Sequence, residues 1–327
     1  MHNSRLLLLA FSVPVALGPA PQEVRIELRE GLVYRMQERA SSVGVCTGTF
    51  LIDGEEYELD EEFLESMGGD EVLEISMRDE VLEVEDGRAV RVTREYTRLE
   101  QRSVEGGEEV KRSGILLGEP LELTLDEEGA LLVGVIDGEQ DVEEKFLVDH
   151  NLHEFFEPLL PRAAVTEGES WKLDEEAALE FSITHDPLYF ELPEELEPDP
   201  ALVEAIRAEA ECEVEVTFDG VVEREGVECL LLSYECTIDC ELDELPEDPV
   251  ADEDFELEAD LAFQMVFSGQ LWIDAEERFP LAMEVTAEGL DSSELGWTEE
   301  GSQMQMDLAI DIEVSVEIEW ELIERGK

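Results

Sequence analysis

The sequence predicts a mainly β protein with a few helices: a large curved antiparallel sheet, a half-barrel or open barrel, wrapping one or two helices. Three observations carry this. From Met306 to Leu322 the even positions are Met306, Leu308, Ile310, Ile312, Val314, Val316, Ile318, Trp320 and Leu322, while acids fill most odd positions. That period of two, unbroken, defines a strand with one apolar and one acidic face. Over about 55 Å at ~3.3 Å per residue, such a strand belongs to a large curved sheet or bends at a bulge. A second run, Phe255 to Ile273, repeats the pattern with Phe255, Leu257, Leu261, Phe263, Met265, Phe267, Leu271 and Ile273 on one side. Spacings of three and four occur only locally, near residues 143–156 and 200–210.

The elements follow in order. Val24, Ile26 and Leu28 alternate with charged residues until Gly31 interrupts them. Glu61 to Met67 reads as a short helix ended by Gly68-Gly69. Leu73, Ile75 and Met77 alternate again, and Val90 and Val92 follow the Asp86-Gly87 turn. Gly106-Gly107 marks a loop. Leu121, Leu123 and Leu125 lead to a turn at Asp126–Gly129, and Leu131 to Ile136 returns. Glu143 to Phe156 has helical spacing and stops before Pro158 and Pro161. Residues 191–200 form an acidic, Pro-rich loop, and Pro200 opens a helix to Ala210 with Leu202, Val203 and Ile206 facing the core. Val214, Val216 and Phe218 alternate with glutamates. The chain turns at 223–226 and Val227–Ile238 returns. Asp239–Asp254 reads as an acidic loop, Leu281, Met283 and Val285 pair back on the long strand, and Asp291–Gly301 reads as a polar loop.

The bulk composition bounds the partners. With 327 residues, 43% of them hydrophobic, the chain suffices for one β-rich domain, with halves at 21–162 and 163–327 as the alternative division. Eighty-eight acids against 21 bases give a formal net charge of -67. Such a field repels nucleic acid and bare anionic membrane, and favours cations, basic proteins and salt. Most acids occupy outward strand positions, which reads as a solvated surface rather than convergent calcium ligands. Thirteen of the 21 bases lie at or before Arg112. Among them Arg91, Arg94, Arg98 and Arg102 are expected near one another, in salt bridges to neighbouring glutamates.

Residues 1–20 read as an export signal: His2 and Arg5, an apolar run from Leu6 to Gly18, then small residues. The run is too short and too broken by proline for a bilayer span. The expected mature protein is exported, periplasmic or extracellular, and not membrane-spanning. Outer-membrane barrels share the alternation, but the helices and the acidic carboxy end argue against one.

Export permits disulfides. The cysteines number five, Cys46, Cys212, Cys229, Cys236 and Cys240, so at least one stays unpaired within a chain. Cys236 and Cys240 stand about 13 Å apart along one strand, beyond bridging distance. A hairpin turning near Arg224 and Glu225 sets Cys212 opposite residue 238, from where it reaches Cys236 or Cys240 only through a shift or bulge. Small buried hydrophobes are the plainer role, and no C-x-x-C pair supports zinc.

Chemistry-bearing patterns are few. The nucleophile elbow, the P-loop and the dinucleotide fingerprint are missing from the sequence. His150 and His153 share a predicted helical face and are followed by Glu154, an order that differs from H-E-x-x-H. A solvated or helix-packing pair is the simpler reading. His185-Asp186, before a proline, reads as a turn. The acids are too many for a glycosidase pair to be singled out. Catalytic and metal-ligating residues are therefore assigned to none, the ligand-binding residues are unknown, and no cofactor is implied.

Phe156-Glu157-Pro158-Leu159-Leu160-Pro161, then Val165-Thr166-Glu167-Gly168-Glu169-Ser170-Trp171, resembles an element of uncharacterised secreted bacterial β-rich proteins. In that family a helix ends in Leu-Pro and a G-[DE]-x-W turn opens the next strand. Gly226-Val227-Glu228-Cys229 and Gly269-Gln270-Leu271-Trp272-Ile273-Asp274 match its later hairpin and strand end, over about residues 115–290. The resemblance implies no established activity. The strand pattern is similar, at the level of fold, to lipoprotein-carrier half-barrels, where a bent sheet encloses an apolar cavity. Three functions follow as expectations. The first is a non-catalytic module binding a lipid or other apolar molecule among Phe218, Phe263, Phe267, Trp272 and Trp320. The second is an acidic cell-envelope protein that binds cations or basic partners. The third is a hydrolase.

Overall fold

The computed structural model describes residues 21–52, 55–57, 59, 69–85, 87–105, 108–126, 130–136, 142–148, 150, 154–182, 189–190, 200–242, 255–299 and 305–326. One open antiparallel sheet dominates. Its strands are β1 (Val33–Ile52), β2 (Glu55–Tyr57), β3 (Gly69–Glu85), β4 (Arg88–Glu105), β5 (Glu108–Ser113), β6 (Pro120–Leu125), β7 (Leu131–Val135), β8 (Ser170–Lys172), β9 (Glu211–Arg224), β10 (Val227–Leu242), β11 (Phe255–Asp274), β12 (Pro280–Glu299) and β13 (Gln305–Arg325). The order is β7-β6-β4-β3-β1-β13-β12-β11-β10-β9-β8, with β2 on β1 and β5 on β4. The outermost strands β7 and β8 do not pair, so the sheet is not closed. It runs through both halves of the chain, because the first long strand, β1, lies beside the last, β13.

Two helices, α1 (Glu175–Ser182) and α2 (Pro200–Glu209), pack on one face of the β9–β10 wing. Phe156 ahead of α1, Phe181 within it and Tyr189 reach the same face. Phe156 meets Trp320 of β13 edge-to-face at 5.2 Å, Tyr189 meets Tyr96 of β4 at 5.6 Å, and Phe181 meets Tyr234 of β10 at 5.2 Å. These aromatics, with Tyr34, Leu99, Leu121, Leu123, Phe218 and Leu230, form one large core fed by strands from both wings. The sheet thus curls round a single hydrophobic interior, as alternating strands with one apolar face must.

The final strand behaves as its sequence predicts. Ile310 and Trp320 are buried, Ile312, Val314, Val316, Ile318 and Leu322 half-buried, and the alternate acids exposed. The hairpin between β9 and β10 turns at Glu225 and Gly226, both with positive φ of 52° and 84°, the combination a two-residue turn of this twist requires.

Other expectations are corrected. Residues 23–29 are not a strand, although Val24 is buried. In place of an α-helix over Glu143–Phe156 there are two 3-10 turns, Glu144–Phe146 and Glu154–Leu159, the second containing Pro158. Asp239–Leu242 and Asp291–Glu299, read as loop, continue β10 and β12, since long neighbouring strands give their polar backbone ladder partners. Helix α1 was not foreseen. Its signal was Asp174, whose carboxylate accepts from Ala177 N at 3.1 Å ahead of an acidic first turn. The expected export signal (1–20), the 61–67 helix, His153 and His185-Asp186 lie outside the described residues.

Candidate ligand-binding face

The sheet is longer than its core. Strand register lines up the inner face in rows. The row Glu38–Trp320–Met283–Leu271–Leu232 lies within the filled interior, where Trp320 is 3% exposed. Going up the strands, the next rows are Ala40–Ile318–Val285–Gly269–Tyr234, Ser42–Val316–Ala287–Phe267–Cys236 and Gly44–Val314–Gly289–Met265–Ile238. Cys46 and Ile312 continue the series. Ile318, Phe267 and Met265 still touch the core, whereas Val316, Val314 and Ile312 lie beyond it. All six are only half-buried.

The composition of these rows shapes the surface. Small residues of β1 (Ala40, Ser42, Gly44) and β12 (Ala287, Gly289) flank the branched side chains of β13, and Met265 lies so close over Gly289 that a Cβ there would meet its Cγ at 2.8 Å. The result is an apolar trough about 20 Å long and about 14 Å wide, from residue rises of ~3.3 Å and strand spacings of ~4.8 Å. Leu59 lies over Gly48 at its far end. The rows are uncharged above Glu38 on the described inner positions of β1, β11 and β13, while Asp311, Glu313, Glu317, Glu319 and Glu321 face outward.

Of the aromatics expected to line a cavity, Phe263 and Phe267 lie on the trough, and Phe218 and Trp320 are buried in the core beneath it. Trp272 does not join them. As an even position on β11 it points to the face opposite Phe263, Phe267 and Leu271, into a separate small cluster with Cys229 and Ala282, under the Arg224 guanidinium at 4.1 Å.

Of the two histidines, the described one, His150, packs into the core. His150 is 7% exposed. Its Nε2 lies 3.1 Å from the Phe146 carbonyl, so this nitrogen carries the proton, and Nδ1 accepts from Tyr96 Oη at 3.2 Å. Both ring nitrogens are thereby engaged within the core. Beside it runs a buried ion pair that sequence reasoning did not single out. Arg94 grips Asp79 through Nε at 3.1 Å and NH2 at 2.9 Å, and Tyr34 donates to Asp79 at 3.3 Å. Burial opposes the Arg94 cation, but adjacent Asp79 outweighs it and raises the guanidinium pKa. Burial, then Asp79, pushes the Tyr34 hydroxyl well up. Of the other arginines in the expected cluster, Arg91 pairs with Glu122, and Arg98 and Arg102 share Glu74. Arg94 alone turns inward.

Cys212 stands opposite Ile238, the position expected for it, through a one-residue register shift between Leu231 and Leu232. All five thiols are free. Cys236 Sγ lies 3.0 Å from Ser182 Oγ of α1, and Cys240 donates to Ile206 O of α2 at 3.9 Å, so these cysteines anchor both helices. Burial pushes the Cys212 thiol up to about 11, and those of Cys236 and Cys240 up as well. Among the described residues no three His, Cys, Asp or Glu side chains gather as a metal site, and no helix is long and apolar enough to cross a membrane.

No family model and no curated protein matches the chain. Among solved structures, one titled "Asymmetric conductivity of engineered proteins" aligns over 87% of this chain and 99% of its own, at 8% identity and a TM-score of 0.18, too low to carry any argument.

Proposed function

We propose that the protein is an exported, non-catalytic carrier that holds a lipid or similar apolar molecule against the inner face of its sheet. One observation carries the reading: Ile312, Val314 and Val316 form an apolar surface beyond the core, only half-covered by the described chain. Apolar area left next to water is costly at about 25 cal/mol per Å², so a surface of this length is worth covering. Small residues on both flanks make it concave, the shape a chain-like ligand fits. The fold-level likeness of the strand pattern to carrier half-barrels supports the same reading. Native mass spectrometry of the exported protein, followed by organic extraction, tests it. A co-purifying lipid that is lost in Val314→Glu is the expected result. A protein that emerges ligand-free, and takes up no lipid from mixed vesicles, ends the carrier idea.

A second reading, a cation-binding envelope protein, draws on the opposite face. There Glu215 faces Glu235 directly across neighbouring strands, at a hollow of about 490 Å3 that Thr217, Ser268 and Glu284 also line, Glu284 being paired with Arg224 at 3.0 Å. Opposed like charges repel, and a bound cation relieves them. Calcium that raises Tm beyond what sodium achieves at equal ionic strength supports this reading.

A further inference from the structure

Away from the trough, at the β8 edge of the sheet, the two halves of the Leu-Pro…Trp element face one another across a groove. Its volume is about 470 Å3, within the ordinary size of small-molecule sites. The walls are chiefly apolar: Pro158, Leu160 and Pro161 on one side, Trp171, Leu173 and Ala177 on the other. Its charged lining is balanced and internally paired. Arg162 binds Asp174 at 2.7 Å, Lys172 binds Glu213, and Glu169 accepts from Thr166 N at 3.0 Å. In a chain of net charge -67 this is an electrically neutral place.

One group breaks the balance. Trp171 Nε1 is buried and has no hydrogen-bond partner among the described residues. Buried donors are nearly always paired, and an unpaired one asks for an explanation. The Trp320 indole nitrogen is likewise unpaired, but its ring is packed against Phe156 in the filled core and does not line either described cavity. Trp171 does line one. We infer that this groove binds a small, uncharged, largely apolar molecule through a single acceptor oxygen, such as a ketone, ester or amide carbonyl, which takes the Trp171 Nε1–H. Reaching the nitrogen requires a slight parting of the walls, and residues 162–164 on that side are exposed rather than anchored in the core. An anion gains little here, because both bases of the lining already have carboxylate partners.

The test compares benzylacetone with butylbenzene, a ketone and a hydrocarbon of similar shape, by titration of the full chain. Binding is read from 15N–1H indole resonances, with Trp171 assigned by its loss in Trp171→Phe. The expected result is binding of the ketone about fivefold tighter, the worth of one net hydrogen bond, with the Trp171 resonance displaced. In Trp171→Phe both ligands bind and the preference vanishes. In Ala164→Trp, which fills the groove, both are lost. The inference is overturned if neither ligand binds, if both bind the wild-type chain equally, or if only Trp272, Trp297 or Trp320 responds. Should Trp171→Phe fail to fold, the wild-type preference for the ketone and the loss of both ligands in Ala164→Trp still decide. Because the trough lies elsewhere, lipid retention there is unaffected by either outcome.

Discussion

Phe156 stands edge-to-face on Trp320 at 5.2 Å with an interplanar angle of 72°, and this contact marks where the interior of the sheet stops being filled. At it β13 is covered by Phe156, and above it the same strand presents Val316 and Val314 half-covered. Phe156→Ala is expected to cost about 3–5 kcal/mol, as large aromatic truncations in a packed core do. Urea unfolding measures it. Val314→Glu, placed on the half-covered surface, is expected to cost under about 1.5 kcal/mol yet abolish lipid retention. A cost equal to that of Phe156→Ala would mean the trough is solid core.

The Asp79–Arg94 pair gives a second expectation. Asp79 is 0% exposed, so removing its charge strands Arg94 in the interior. Asp79→Leu is expected to lose about 3–5 kcal/mol, and Asp79→Leu with Arg94→Met to recover much of it. Chemical denaturation of the three proteins checks the sign of the coupling. A double variant as weak as the single would refute the stranded-charge account.

Gly269 lies under Tyr234. A Cβ at Gly269 would come within 2.4 Å of the Tyr234 ring, which the packed interior does not let shift freely. Gly269→Ala is expected to lower stability by about 1–3 kcal/mol, and to do so much less in a Tyr234→Leu background. Thermal melts of the four chains form the cycle. Additive losses would show that the close approach is not the cause.

The thiols set an alkaline limit. Burial holds Cys212 protonated up to about 11, against an ordinary 9.0, so the unfolded chain releases its proton first. The stabilisation is complete below pH 9.0 and is lost as pH rises toward about 11. Cys236 and Cys240 shift in the same direction. Cys212→Ala is expected to flatten the fall of stability with pH across that window. Equally steep profiles would locate the alkaline sensitivity elsewhere. Native labelling by iodoacetamide at neutral pH should be slow at Cys236, which is 1% exposed.

The surface charge gives the last expectation. With 88 acids and 21 bases the folded chain repels itself, so Tm should climb by several degrees between about 10 mM and about 0.5 M NaCl, as the screening length shortens. A flat salt response would show that the outward acids are too well solvated to matter.

Sequence alone determined which side of each strand turns inward. A period of two is a local property, and the alternation of Ile310 to Leu322 with acids allows one face only to leave water. It likewise marked the turn at 223–226, while the seat of Cys212 opposite Ile238 also depends on the register shift between Leu231 and Leu232. Neighbour relations were decided by tertiary structure. That β1 lies beside β13 depends on a pairing between opposite ends of the chain, and no local pattern encodes it. What Trp272 meets on its own face, Cys229 and Ala282, is likewise set by the pairing of β11 with β10 and β12. The burial of His150 and Arg94, and the pairing of Trp171 with a groove, arise because the chain bearing Phe156, Phe181 and Tyr189 folds back over the sheet. Local chemistry chose the faces, and long-range packing chose what each face meets.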